Sequence, residues 1–126
     1  MSRAAPPPAI VSRWSACFQA GQLEECERLA QELVRDCADA GKAWQLLGMS
    51  RFARGDLAEA ATHLRRAAAL ERGDRSIWDN LGIVLQKSGD HAGAREAFRT
   101  ALALAPAAAG IWSNAAGNEL DAGNTA

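Results

Sequence analysis

The residues best equipped for chemistry are few. Cys17, Cys26 and Cys37 are the chain's three cysteines, at spacings of 9 and 11. A thiolate can attack, ligate a metal or pair with a second thiol. An odd number closes no disulfide framework within one chain, and these spacings are not those of a zinc knuckle. The three read as small apolar packing residues, with a redox or metal role as the alternative. His63 and His91 lie far from any cysteine along the chain. His63 is expected on a helix surface, and His91 directly follows Asp90 at a helix start. There is no glycine-rich phosphate loop and no nucleophile motif. The reading is therefore not an enzyme: no catalytic residue, no metal ligand and no cofactor is expected. Asn80 and Asn114, 34 residues apart, are a different matter. An amide donates and accepts at once, so a column of amides can hold a peptide backbone without reading its side chains. The alternative is that both are solvated or bond locally.

Composition narrows the partners. The chain has 126 residues, 14 basic and 15 acidic, for a net charge of −1. No basic surplus draws it to nucleic acid or to anionic lipid. No apolar run approaches the roughly 20 residues of a membrane span, and the Ala- and Pro-rich start lacks a signal-peptide core. A cytoplasmic protein is the expectation, and the Ala- and Arg-heavy usage fits a bacterial source.

What must position these residues is a repeat. Gly21, Gly55, Gly89 and Gly123 stand 34 residues apart, as do Trp44, Trp78 and Trp112, three of the four tryptophans. Leu47-Gly48 returns as Leu81-Gly82, Asp56 as Asp90, Ala60 as Ala94, Ala67 as Ala101 and Leu70 as Leu104. Within each period helix formers run to a glycine. Glycine takes the left-handed conformation that ends a helix without steric cost. Helices are predicted at 42–54 and from Leu57 to about Glu71, with another after Gly89-Asp90 ending before Pro106. Asp56 and Glu59 read as a capping box. Small residues (Gly48, Gly82, Ala60, Ala94) alternate with large ones (Trp44, Trp78, Leu64, Phe98), as tightly paired antiparallel helices require. The fold class is all-α.

Trp78, Leu81-Gly82, Leu85, Gly89, Ala94, Phe98, Ala101 and Pro106 together resemble the tetratricopeptide repeat (TPR) family pattern. Trp44, Leu47-Gly48, Gly55, Ala60, Leu64 and Ala67 resemble it too, although Arg51 and Arg72 depart from its aromatic and its proline. The resemblance implies a right-handed superhelical solenoid of antiparallel helix pairs, about seven helices in all. The register gives a disordered or extended tail at 1–6, a divergent first repeat at about 7–40, full repeats at 41–74 and 75–108, and a partial one at 109–126. Bulky Trp14 stands where a small residue is usual and is expected to cover the exposed first end.

The resemblance also implies an interaction scaffold whose first helices line a concave groove for a protein or peptide. The groove residues expected are Lys42, Gln45, Met49, Asp79, Asn80, Ile83, Lys87, Ser113 and Asn114. The phrase Trp78-Asp79-Asn80-Leu81-Gly82 resembles the asparagine ladder in the TPR arm of O-linked N-acetylglucosamine transferases. The Lys, Asn and Arg set of carboxylate-clamp modules is absent. Two other roles stay open: a self-association module forming a homo-oligomer, and a substrate-presenting arm of a bacterial glycosyltransferase, sulfotransferase or hydroxylase. Gly123-Asn124 reads as a helix stop and a cap for a next helix. That points to a longer protein; a lone capping helix over 107–121 is the alternative.

Overall fold

The computed structural model describes residues 5–124, with the side chain of Asn124 left aside. It is all-helical in this range: α1 (Pro8–Gln19), α2 (Leu23–Asp36), α3 (Gly41–Ala53), α4 (Leu57–Leu70), α5 (Arg75–Lys87), α6 (His91–Leu104) and α7 (Ala109–Asn124). Residues 5 and 6 of the expected tail, and Pro7 after them, precede α1 without regular structure, and 1–4 lie outside the described residues. The chain forms two compact units, Met1–Glu71 and Arg72–Ala126.

Each helix pair turns on the same hydrogen-bonded hook. Gly55 has φ +88°, and Gly21 and Gly89 have +74° and +90°. The Gly55 N–H donates to the Phe52 carbonyl at 3.0 Å, and the Asp56 N–H to the Arg51 carbonyl at 2.9 Å. Gly89-Asp90 repeats this on Gln86 and Leu85, and Gly21-Gln22 on Phe18 and Cys17. The hook satisfies carbonyls that the helix end leaves unpaired, and only glycine enters the left-handed position freely.

The capping expectation holds at one hook and fails at the other. The Asp90 carboxylate accepts from the Gly93 N–H at 2.9 Å. Asp56 makes no cap bond. The residue one turn back explains the contrast. Arg51 stands where the third repeat has Leu85, and its guanidinium reaches Glu59 at 2.6 Å, Glu27 at 3.2 Å and Asp56 at 3.8 Å. The arginine that replaces the family's aromatic draws both capping-box carboxylates to itself. It thereby ties α3 to α2 and α4.

The repeated tryptophan bonds back to the loop that precedes its own helix. Trp44 Nε1 donates to the Ala38 carbonyl at 2.8 Å, Trp78 Nε1 to Arg72 at 2.9 Å and Trp112 Nε1 to Pro106 at 2.8 Å. The acceptor is a backbone oxygen, so alanine, arginine and proline serve alike. That is why Arg72 is tolerated in place of proline.

In unit one the core gathers Trp14, Cys26, Leu29, Leu33, Ala43 and Leu47. Trp14 does not cover an exposed end. It is 7% exposed and turned inward, with Nε1 donating to Ser50 Oγ at 2.9 Å, while the Ser50 hydroxyl donates in turn to the Leu46 carbonyl at 2.8 Å. A buried indole N–H needs an acceptor, and Ser50 on α3 supplies one. All three cysteines are free thiols; Cys26 and Cys37 are buried and Cys17 half-buried. Burial, with Cys17 nearby, pushes the Cys26 thiol up, away from the reactive thiolate. In unit two Phe98 fills the space beside Gly82, where a Cβ would stand 2.5 Å from the ring. One further expectation is corrected: α7 runs through Gly123 to Asn124. Gly123 does not take the left-handed conformation of the other three.

Candidate functional site

The expected groove residues fall on α3, α5 and α7, the first helix of each pair. In unit one this face is largely closed. Gln45 is 5% exposed, and Met49 and Leu46 join the core cluster. Gln45 is thus not an open groove residue, because the apolar side chains at 46 and 49 carry this stretch of α3 inward. Lys42 remains half-buried with part of its surface accessible.

Unit two presents a more polar face, built by α5 and α7. Asp74 starts α5, its carboxylate accepting from the Ser76 N–H at 2.9 Å and from the Ser76 hydroxyl at 2.6 Å. One turn on, Asp79 Oδ1 accepts from Asn114 Nδ2 at 3.0 Å. Two turns further, Gln86 Nε2 donates to Asp121 Oδ2 at 2.6 Å. Each bridge joins one residue to another 35 positions later, one repeat and one step along. Asn80, Ile83 and Gly117 lie between, all half-buried, with Lys87 and Ser113 exposed at the edges. Next to Gly117 the nearest atom to a notional Cβ is Gln86 Nε2 at 3.7 Å, so the floor there is low.

The structure therefore brings Asp79 and Asn114 together and narrows the amide expectation. Asn114 is a bridge between α5 and α7, with one N–H held by Asp79. Its second N–H and its carbonyl oxygen keep their bonding capacity.

One polar centre was missed. Asn118 is 0% exposed; its Nδ2 donates to the His91 carbonyl at 3.0 Å, and its Oδ1 lies 3.0 Å from His91 Nδ1. Because the Asn118 oxygen is the acceptor, His91 Nδ1 carries the proton. His91 is thus anchored to α7. The available signal was a break in pattern: Asn118 stands where the earlier repeats have Ser50 and Val84. His63 is also no plain surface residue. Its ring lies 5.7 Å from Trp44, and burial, helped by the Arg51 charge, pushes its pKa below the ordinary value.

The tetratricopeptide repeat pattern matches residues 39–107, more than half the chain. The chain belongs to the tetratricopeptide repeat family. Solved structures extend the likeness across both units of this TPR protein. An O-GlcNAc transferase from Thermobaculum terrenum is 31% identical, with a TM-score of 0.82 over 87% of this chain and 21% of that one. The chain thus spans about a fifth of that enzyme's length. The Yersinia enterocolitica type III secretion chaperone SycD, solved with a peptide of the translocator YopD, is 18% identical with a TM-score of 0.78, covering 89% of this chain and 91% of that one. The second TPR domain of human RPAP3, solved with an HSP70 peptide, is 15% identical with a TM-score of 0.80, covering 87% and 92%. No curated protein matches the chain in sequence. No helix among the described residues is long and apolar enough to cross a membrane.

Proposed function

We propose that this TPR protein is an interaction scaffold that holds an extended peptide, or an unfolded segment of a protein, on the first-helix face. Asp79, Asn80, Ile83, Lys87, Ser113 and Asn114 form the contact, all on the α5–α7 face of unit two. The observation that carries this reading is the pair of amide–carboxylate bridges, Asp79 to Asn114 and Gln86 to Asp121. They fix polar groups in rows across neighbouring helices before a ligand arrives, which reduces the ordering cost of binding. Between the rows Ile83 and the low floor at Gly117 leave room for a main chain to approach. Two solved TPR proteins of the same fold were crystallised or solved with peptides, which supports the class of ligand.

A second reading has its own support. The likeness to the transferase and the phrase Trp78-Asp79-Asn80-Leu81-Gly82 favour a role as the substrate-presenting arm of a larger glycosyltransferase. Both readings use the same face, in a cytoplasmic setting and without a cofactor.

The test is to pan a random peptide library against the chain and measure the selected peptides by fluorescence anisotropy. Asn114→Ala and Asp79→Ala each weaken binding about tenfold, the cost of a lost bond to a charged or amide partner. Circular dichroism checks that both variants remain folded. Peptides that bind both folded variants as tightly as the parent chain would overturn the assignment.

A further inference from the structure

Two of the three free thiols face each other across the first hairpin. Helices joined by the common hook pack so that residues equidistant from it meet. Gly48 lies against Leu64, each eight residues from Asp56, and Gly82 against Phe98, each eight from Asp90. Gly41 and Glu71, each fifteen from Asp56, meet in the same way. The first hairpin turns on the same hook, with Gln22 in the place of Asp56 and Asp90. Cys17 stands five residues before Gln22 and Cys26 four after it, so they fall opposite one another. The later repeats have Arg51 and Ala60, then Leu85 and Ala94, at these two places. The Cys26 thiol donates to the Trp14 carbonyl at 3.7 Å. A helix carbonyl points into the turn that follows it, and Cys17 lies in that turn. The two thiols are close enough to interact electrostatically. Cys37, at the other end of α2, is about 16 Å further along the helix axis. A disulfide spans only about 6 Å between Cα atoms, so Cys37 is out of reach.

We propose that Cys17 and Cys26 are a reversible redox pair, which a small-molecule disulfide such as oxidised glutathione closes into a bond that staples α1 to α2. Access sets the order of events. Cys17 is half-buried and can be approached, whereas Cys26 is 0% exposed and its thiol is held protonated by burial. The Cys17 thiolate attacks one sulfur of oxidised glutathione, whose S–S bond breaks, and one glutathione leaves as its thiolate. Cys26 then loses its proton, attacks the Cys17 sulfur of the mixed disulfide and expels the second glutathione thiolate. The two protons end on the two glutathiones. The protein gives up two electrons and the glutathione disulfide takes them. The new bond closes a short loop around the Gly21 hook and restricts the unfolded chain, which stabilises the hairpin.

The test treats the folded chain with oxidised glutathione, blocks remaining thiols by alkylation and digests with trypsin. Cys17 and Cys26 share one tryptic peptide, 14–28, and Cys37 lies on another, 36–42. Peptide 14–28 should become two hydrogens lighter and escape alkylation, while 36–42 is alkylated. In Cys26→Ser, Cys17 should stop at the mixed disulfide with glutathione. In Cys37→Ser, closure should run at the parent rate. The oxidised chain should melt about 5–10 °C higher by circular dichroism and revert with dithiothreitol. A 14–28 peptide that stays fully alkylated, glutathione retained on Cys17 in the parent chain, or a bond to Cys37 would overturn the inference. So would closure that occurs only in urea, or an oxidised chain that melts no higher than the reduced one.

Discussion

Replacing Gly82 by alanine should destabilise the protein, although helix propensity alone says the opposite. Exchanging glycine for alanine inside a helix gains about 1 kcal/mol. At Gly82, however, the new methyl would stand 2.5, 2.7 and 2.8 Å from three atoms of the Phe98 ring. Carbon atoms rest at about 3.5–4.0 Å, so the ring must retreat by about 1 Å. Phe98 is 1% exposed and has no solvent to move into. Overpacking of this kind costs about 1–3 kcal/mol, which exceeds or cancels the propensity gain. The net change is a loss of about 0–2 kcal/mol. Gly117 on α7 is the control, since its notional Cβ meets only Gln86 Nε2 at 3.7 Å. Gly117→Ala should therefore keep the full gain of about 1 kcal/mol. Urea unfolding followed by circular dichroism at 222 nm reads both. Within a Gly82→Ala background, Phe98→Leu should cost less than it does in the parent chain. The reasoning is refuted if Gly82→Ala stabilises the chain as much as Gly117→Ala does.

Other substitutions probe other parts of the account. Trp78→Phe removes the bond to the Arg72 carbonyl and should cost about 0.5–1.5 kcal/mol by the same unfolding assay, whereas Arg72→Ala should cost far less because only its backbone is used. Arg51→Leu should free Asp56 to cap α4 as Asp90 caps α6, visible as a downfield shift and slower exchange of the Glu59 amide proton. Burial and the Arg51 charge hold His63 below the ordinary histidine value, so the fold favours the neutral ring. That contribution is complete above the unfolded-state value and is lost as the pH falls through the lower folded value. Unfolding midpoints taken from about pH 7.5 to 5 should therefore decline, and decline less steeply in His63→Gln. Glu119 is held below the usual carboxylate range by its bonds to Arg95, so Arg95→Ala should move its titration upward in a carboxyl NMR experiment.

Much of the fold was legible because the repeat copies backbone requirements. Left-handed glycines at 21, 55 and 89 have no cheap substitute, so the hooks can be read directly from residue type. Gly123 is the exception: α7 continues through this glycine, which keeps helical rather than left-handed geometry. Trp14 and Asp56 were misread for a related reason. Their partners, Ser50 and Arg51, lie 36 residues later and five residues earlier in the chain. Neither pairing has a local signature. On the candidate face the helix and the position within the repeat were legible. The pairing was not, because the bridges run from one position of a repeat to the next position of the following one. Gln45 was placed on an open face by register alone, and register does not report how far Leu46 and Met49 draw α3 into the core.

The central claim is that the α5–α7 first-helix face receives a peptide main chain. Backbone and side-chain amide NMR shifts, recorded while a panned peptide is titrated into labelled protein, test it most directly. The largest changes are expected on Asn80, Ile83, Lys87, Ser113 and the Asn114 side-chain amide. Changes confined to α4 and α6, with those five unmoved at saturation, would contradict it.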